Sequence, residues 1–454
     1  MASGRNGPQT DSMIKRPNIL FILADDLGYG DLGCYGRPPA DYATPNLDRL
    51  ATEGIRFNFA YSAAPECTPT RCAFTTGRYP ARTPIGLMEP LGFRDASVWL
   101  DSAHPTVASL LQGNGYATAL IGKWHLGCAP NPGPTQYGFN EFFGILGPAV
   151  DYITHTDDSA ILDLVDSLSP SVPTGYLTGL FTARAIDYIG RATRPFFLSL
   201  QYTAPHWPWE APGDPAILPV NWTDSLVPQP RAYARMMENL DADVGRIMDA
   251  LRNAGLENDT LVIFTSDNGG DRAFSNRAPL SGSKFELREG GIRVPAMVRW
   301  PAALRGGVVI DQVAITMDWT ATILAATQTR ADPAYPLDGV DLLGVMRPPA
   351  SGRDLLCEWV HSKLPNFSTP PFIVPMPQFP RTLFWRTGSA NPSMAQDGMR
   401  SGNWKYYRSA GIDYLFDLPN DPGEINNLAT THAAVLANLK TTYNALDAQM
   451  LPRP

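Results

Sequence analysis

Short, wholly apolar runs alternate along this chain with longer segments of helical periodicity, and that alternation limits the fold more than any other feature. Ile19-Leu20-Phe21-Ile22-Leu23 has no polar position on either face, so it predicts a strand buried on both sides. Ala117 to Ile121, Pro195 to Gln201 and Thr260 to Ser266 read as further strands. Thr106 to Gln112 reads as a helix, stopped by Gly113 and Gly115. Leu240, Val244, Ile247, Met248 and Leu251 form one apolar helical face, and Gly255 is placed to cap that helix. Strands alternating with helices predict an α/β fold with a largely parallel sheet.

The C-terminal part reads differently. Lys363 to Arg381 is rich in proline and is not expected to be regular. Beyond it, Thr382 to Arg386 and Trp404 to Arg408 read as strands, and a last helix is expected from about His432 to Met450. These segments suggest a small α+β subdomain beginning near residue 350.

The length of 454 residues leaves room for two domains, or for one large catalytic domain and an appendage. Acidic residues outnumber basic ones, 44 to 36, with no Lys/Arg cluster, so no nucleic-acid partner is expected. The five cysteines, Cys34, Cys67, Cys72, Cys128 and Cys357, are too few and odd in number for a disulfide framework. No apolar run approaches the ~20 residues of a membrane helix. The run at Ile19 is too short for a signal sequence, so the chain as given is expected in the cytoplasm. It would be periplasmic or secreted if an export signal had been removed.

In an open parallel sheet, ligands bind beyond the carboxyl ends of the strands. The unusual polar residues fall at those ends. Asp25-Asp26 follow the first strand, and Lys123 and His125 follow the strand at Ala117. His206 follows the strand at Pro195, and Asp267-Asn268 follow the strand at Thr260. Taken singly, each acidic pair is an ordinary turn. Taken together, three carboxylates in one place repel each other unless a cation neutralises them, and oxygen-only ligands suit Ca²⁺ or Mg²⁺. Among the six histidines, His104, His361 and His432 have no supporting context, and His155 is intermediate.

Residues 67 to 78, CTPTRCAFTTGR, carry two competing patterns. Cys72 and Arg78 have the spacing of a cysteine phosphatase loop. Cys67, Pro69 and Arg71 form Cys-x-Pro-x-Arg. A phosphatase loop needs several glycines with their amides turned toward phosphate. Only Gly77 lies between Cys72 and Arg78, alongside the bulky Phe74.

Cys67-Thr68-Pro69-Thr70-Arg71 with Thr76-Gly77-Arg78 resembles the signature of the type I, formylglycine-dependent sulfatases. Asp25-Asp26-Leu27-Gly28-Tyr29-Gly30, Gly122 to Gly127 (GKWHLG), Ser266-Asp267-Asn268-Gly269, Lys284 and Glu289 to Pro295 resemble that family in the same order. So do Trp404-Lys405-Tyr406 and Leu415-Phe416-Asp417-Leu418 with Asp421-Pro422. The likeness runs from about Pro17 to Leu428. It implies the alkaline phosphatase-like fold, a large mixed sheet between helices plus a small antiparallel sheet. The catalytic domain would span 16–350. Residues 351–454 would form a subdomain with a four-stranded antiparallel sheet and a terminal helix.

The same resemblance implies that Cys67 is oxidised to formylglycine by a formylglycine-generating enzyme. Asp25, Asp26, Asp267 and Asn268 would hold Ca²⁺, with residue 67 as a further ligand and Mg²⁺ as the alternative ion. Arg71 and Lys123 would fix the hydrate and the sulfate, and His125 would be the base. His206 and Lys284 would hold the sulfate and assist the leaving group. The expected substrate is an aryl or carbohydrate sulfate, with Trp207, Trp209 and the Pro-rich loop as pocket walls. Cys72 is then a small buried residue on the helix after Cys67. Ser281 departs from the family by standing where arginine is frequent, which makes highly anionic substrates less expected. The alternatives are a phosphonate or phosphate monoester hydrolase of the same superfamily and a non-catalytic, calcium-stabilised binding protein.

Overall fold

The computed structural model describes residues 16–453, apart from 89, 129, 132, 168, 217–229, 277, 348–371, 374–379, 390, 392 and 393. Its larger sheet contains β1 (Asn18–Ala24), β2 (Ile55–Tyr61), β3 (Ala117–Lys123), β4 (Glu141–Ile145), β5 (Val165–Asp166) and β6 (Ser169–Pro170). It continues with β7 (Phe196–Gln201), β8 (Thr260–Ser266), β9 (Arg293–Arg299), β10 (Val308–Ile310), β11 (Ala314–Ile315) and β12 (Phe372–Ile373). The strand order is β12-β10-β2-β9-β8-β1-β7-β3-β4-β5-β6, with β11 also on β2. β8, β1, β7, β3 and β4 are parallel neighbours, and β9 is antiparallel to β8 and β2. The fold is the expected one: a large, mainly parallel sheet between helices.

The all-apolar β1 explains the layering. Successive side chains point to opposite faces of a sheet. Ile19, Phe21 and Leu23 enter one core, beneath the helices Cys67–Thr76, Val107–Gly113 and Thr316–Ala326. Leu20, Ile22 and Ala24 enter the other, beneath Pro45–Glu53, Leu177–Gly190 and Pro230–Asn253. The helix predicted around Leu240 thus begins earlier, with Pro230 at a position where its missing amide is not needed. It ends as predicted on Gly255, at φ +70°. The Gly255 amide donates to Arg252 O, and the Leu256 amide donates to Leu251 O. Thr106 caps the helix Val107–Gly113 instead of entering it, its hydroxyl accepting the Ser109 amide at 3.0 Å.

The second sheet is antiparallel, in the order β13 (Thr382–Arg386), β14 (Gln396–Ser401), β15 (Trp404–Ser409), β16 (Ile412–Asp417). Leu439 and Tyr443 of the terminal helix Ala433–Asp447 pack on its apolar face. The expected boundary near residue 350 and most of the Pro-rich segment lie outside the described residues, as do Cys357 and His361. Among the described residues no helix is long and apolar enough to cross a membrane.

A buried ion network fastens the two sheets together. Lys405 Nζ of β15 lies 3.0 Å from Glu289 Oε1 and 2.8 Å from Glu424 Oε1, with all three side chains inaccessible to solvent. The Tyr61 hydroxyl of β2 donates to Glu289 Oε2 at 2.8 Å. Breaking such a cluster by removing one partner costs more than the cluster's net contribution, because the remaining charges stay buried. We predict that Lys405→Met lowers the free energy of unfolding by about 3–5 kcal/mol. Chemical denaturation measures this, and a loss below ~1 kcal/mol would show that the network is dispensable.

Candidate active site

The register of the parallel strands aligns their ends. Ala24 lies opposite Ser266, Leu23 opposite Gln201, and Gln201 opposite Gly122. Asp25, Asp267 and Lys123 therefore leave the sheet side by side. Gly122 makes the close approach possible: it has φ +115°, and a β-carbon there would fall 1.8 Å from Gln201 O. Past β2, the chain turns into the helix Cys67–Thr76, with Glu66 as its N-cap and Cys67 as its first residue. All ten helical residues are buried. Pro69 sits in the first turn, where no intrahelical donor is lost. Arg71 is one turn beyond Cys67 and shares its face.

These residues form one buried cluster. The Cys67 thiol lies 3.4 Å from Asp25 Oδ1. Lys123 Nζ lies 2.6 Å from Asp25 Oδ2. Arg71 Nη2 donates to Asp267 Oδ2 at 2.8 Å and lies 3.5 Å from Asp25 Oδ1. The other Arg71 terminal nitrogen donates to Gln201 Oε1 at 2.7 Å. Lys284 Nζ donates to Asp26 Oδ2 at 2.8 Å, and His206 Nε2 stands 3.6 Å from the same oxygen. The Asp26 amide donates to Asp267 Oδ1 at 3.1 Å, and Asn268 Nδ2 donates to Asp26 Oδ1 at 2.7 Å.

Three carboxylates thus meet three basic side chains, which alters the electrostatic argument drawn from sequence. Burial works to raise the Asp25 carboxyl, but Lys123, His206 and Arg71 together hold it well below the usual carboxylate range. Burial opposes the charge on Lys284, yet Asp26 beside it keeps the ammonium protonated. Burial, with Asp25 next in weight, pushes the Cys67 thiol up, so the unmodified side chain is a neutral thiol and a poor nucleophile.

Two histidines face the cluster in defined tautomers. His125 Nε2 lies 2.7 Å from Leu91 O, so it carries the hydrogen. The opposite nitrogen, Nδ1, is buried without a partner and holds the lone pair. Burial, then the charge of Lys123, keeps this ring neutral. His206 donates from Nδ1 to Trp207 O at 2.6 Å, leaving Nε2 free toward Asp26. Burial and Lys284 hold its pKa down to about 4. Asp26 and His125 both adopt left-handed backbone, at φ +62° and +56°. Such conformations are costly outside glycine and gather at functional sites.

The donor set fits a cation. Asp25, Asp26, Cys67 and His206 each bring a ligand atom to within 4.8 Å of the others. Asp267 and Asn268 stand beside that group, and Asn268 Oδ1 is buried without a partner. A half-turn of this amide would aim that oxygen at the same space.

The candidate catalytic and ion-holding residues converge here, but several others singled out from sequence behave differently. Trp209 is buried in the core, edge-on to Phe274. Trp207 stacks on His206, 5.3 Å between centroids. Cys72 is a buried residue whose sulfur lies 3.1 Å from the Thr83 hydroxyl. Arg78 turns away to His104. The Cys72–Arg78 pair is therefore part of a continuous helix and its exit, with no phosphate loop. His155 bonds Gly175 O, at a distance of 3.0 Å. Sequence reasoning missed Gln201, the last residue of a predicted strand, and Leu91, whose carbonyl fixes the His125 tautomer.

The sequence profile of the family described as Sulfatase matches residues 17–329. The chain belongs to the sulfatase family. It is 33% identical to human arylsulfatase A over 448 residues, covering 92% of this chain and 84% of that protein. It is 30% identical to mouse steryl-sulfatase, covering 96% of this chain and 83% of that one. The solved structure of Ps i-CgsB in complex with k-i-k-neocarrahexaose superposes with a TM-score of 0.78 at 26% identity. That match covers 95% of this chain and 93% of the other. The protein is a sulfuric ester hydrolase.

In this sulfatase, Gln201 fixes Arg71 from the side opposite Asp267. Gln201→Leu removes the nearer acceptor of that buried guanidinium nitrogen and leaves it only the Lys123 carbonyl at 3.3 Å, which costs about 1–3 kcal/mol. We predict a fall of about tenfold in kcat/KM for an aryl sulfate, with a matching loss of stability. Kinetics and thermal unfolding on one preparation test this; unchanged kcat/KM would mean that Arg71 needs no such support.

Proposed function

We propose that this sulfatase hydrolyses an aryl or carbohydrate sulfate with a formylglycine made from Cys67, beside a bound Ca²⁺ or Mg²⁺. The observation that carries the reading is the placing of Cys67. It opens a buried helix, against Asp25, inside a ring of Arg71, Lys123, Lys284 and two neutral histidines. Asp25, Asp26, Asp267 and Asn268 would hold the ion, with residue 67 as a further ligand. Hard oxygen donors favour Ca²⁺ or Mg²⁺ over softer metals. The ion would supply Lewis acidity, polarising the sulfonyl oxygens and favouring ionisation of a neighbouring hydroxyl.

Charge balance supports this assignment. Burial, then the charge of Asp25, raises the Asp267 carboxyl to about 7, and a bound ion would ionise it fully; the carboxylates Asp25, Asp26 and Asp267 are then offset by Arg71, Lys123 and Lys284. A divalent ion would leave the cluster with two positive charges. One matches the single charge of a sulfate ester and the other an ionised nucleophile. A phosphate monoester brings up to one charge more, and among the described residues this cluster holds no further cation for it. The named relatives also favour sulfate over the phosphonate and phosphate alternative.

The aldehyde hydrate supplies two hydroxyls on one carbon, one to attack sulfur and one whose loss of a proton releases sulfate. Arg71 and Lys123 orient the hydrate and spread the charge of the sulfonyl oxygens. His125 Nδ1, neutral and unpaired, is positioned to take the proton of the second hydroxyl. Lys284 and His206, on the Asp26 side, face the ester oxygen. Lys284 is the protonated member of that pair, so it stabilises the departing alkoxide. Maturation would need a formylglycine-generating enzyme that reads Cys67-x-Pro69-x-Arg71.

Four outcomes are expected. Removing the metal by chelation, or Asp26→Ala, abolishes turnover of 4-nitrophenyl sulfate; near-normal kcat in chelator would remove the metal from the reaction. Activity rises in proportion to the aldehyde occupancy of residue 67, measured by peptide mass. Cys67→Ser, with only one hydroxyl, stalls as a covalent sulfate visible by mass. Cys72→Ala leaves turnover near normal. Activity independent of occupancy would overturn the formylglycine mechanism.

A further inference from the structure

Phe285 stands out by two independent measures. It is 49% exposed, although large apolar side chains are usually buried. Its backbone is left-handed at φ +72°, a conformation that an aromatic residue adopts only when its surroundings impose it. Three hydrogen bonds impose it here. The Phe285 amide donates to Pro65 O at 2.9 Å, two residues before Cys67. Gln396 Nε2 of the small sheet donates to Phe285 O at 2.7 Å. The Lys284 amide donates to Gly270 O at 3.1 Å, just past Asp267 and Asn268. The ring is thereby fixed at the edge of the site. Its centroid lies 5.3 Å from Lys284 Nζ, which itself lies 2.8 Å from Asp26 Oδ2. His206 Nε2 stands 3.6 Å from the same oxygen, and the Trp207 ring stacks on His206.

We propose that Phe285 determines specificity, its ring forming one wall of a leaving-group subsite that takes a flat, uncharged alcohol, best an aromatic one. The inference rests on the sulfatase reading and narrows it. With the sulfate held by Lys284 and its neighbours, the ester oxygen leads past the exposed ring, where an aryl group packs offset or edge-on. The charges nearby disfavour a second anion on the alcohol. Arg272 is paired with Glu286 at 2.8 Å, directly beside Phe285. Arg288 donates to Ser281 Oγ and to Glu424 O. An additional sulfate or carboxylate would meet the Glu286 carboxylate and two arginines already engaged.

The test uses full-length enzyme of measured aldehyde occupancy, as wild type, Phe285→Leu and Phe285→Trp. The substrates are 4-nitrophenyl sulfate and galactose 6-sulfate, with inorganic sulfate as inhibitor. Phe285→Leu is expected to lower kcat/KM for 4-nitrophenyl sulfate about tenfold, mainly through KM, while Phe285→Trp stays within about threefold of wild type. Inhibition by inorganic sulfate, which needs Lys284 but no aryl wall, should not change. Equal kcat/KM in the leucine variant overturns the proposal. So does a parallel loss of sulfate inhibition, because the ring would then only position Lys284. If the leucine variant does not fold, inhibition of wild type decides: phenol must act at about tenfold lower concentration than galactose, and equal potency overturns the proposal. Wild-type enzyme that carries the aldehyde but turns over neither ester would overturn the sulfatase mechanism instead.

Discussion

Asp25 is the point on which the site depends. Its carboxylate is fully buried, and burying such a charge is costly unless strong partners surround it. Those partners come from separate parts of the chain: Lys123 from the end of β3, and Arg71 and Cys67 from the helix after β2. Satisfying one carboxylate therefore requires the strand ends and the helix to meet in one geometry. The same requirement assembles the constellation for chemistry, so stability and preorganisation share one set of contacts. The second group, around Asp26, is built on the same plan from Lys284, Asn268 and His206.

Much of this was legible in the sequence because it follows from periodicity and position. The five apolar residues from Ile19 had to be buried on both faces, and the acids after them had to emerge at a sheet edge. Four parallel strands then bring Asp25, Lys123, His206 and Asp267 to one edge whatever their side chains do. The small antiparallel sheet was visible in the strands Thr382 to Arg386 and Trp404 to Arg408.

What stayed hidden depends on pairing across space. Repulsion among Asp25, Asp26 and Asp267 was the sequence argument for a cation. The structure shows Lys123, Lys284 and Arg71 already balancing them, so the better support is the donor set and the unpartnered Asn268 oxygen. Gln201 reads as one more strand residue until the register puts it beside Gly122 and within reach of Arg71. Trp207 and Trp209 look equivalent in sequence. One stacks on a site histidine and the other packs in the core, a difference that only the tertiary contacts reveal. Phe285 follows Lys284 with no pattern to mark it, and only its backbone conformation and exposure reveal it.

The central position of β1 has a consequence for how the protein is made. Asn18 pairs with Thr260, and Asn268 reaches back across 242 residues to Asp26. On the ribosome, a strand with two apolar faces must wait for β7 and then β8 to be synthesised before either edge is paired. Contacts of such long range form slowly, and exposed apolar strands aggregate in the meantime. A holding chaperone is the natural remedy for that delay. The delay is also useful, because the helix carrying Cys67 is wholly buried once the sheet closes. If Cys67 is modified as proposed, the interval of translation before β8 emerges is when a modifying enzyme would reach that thiol, and the order of strands along the chain would set the time available.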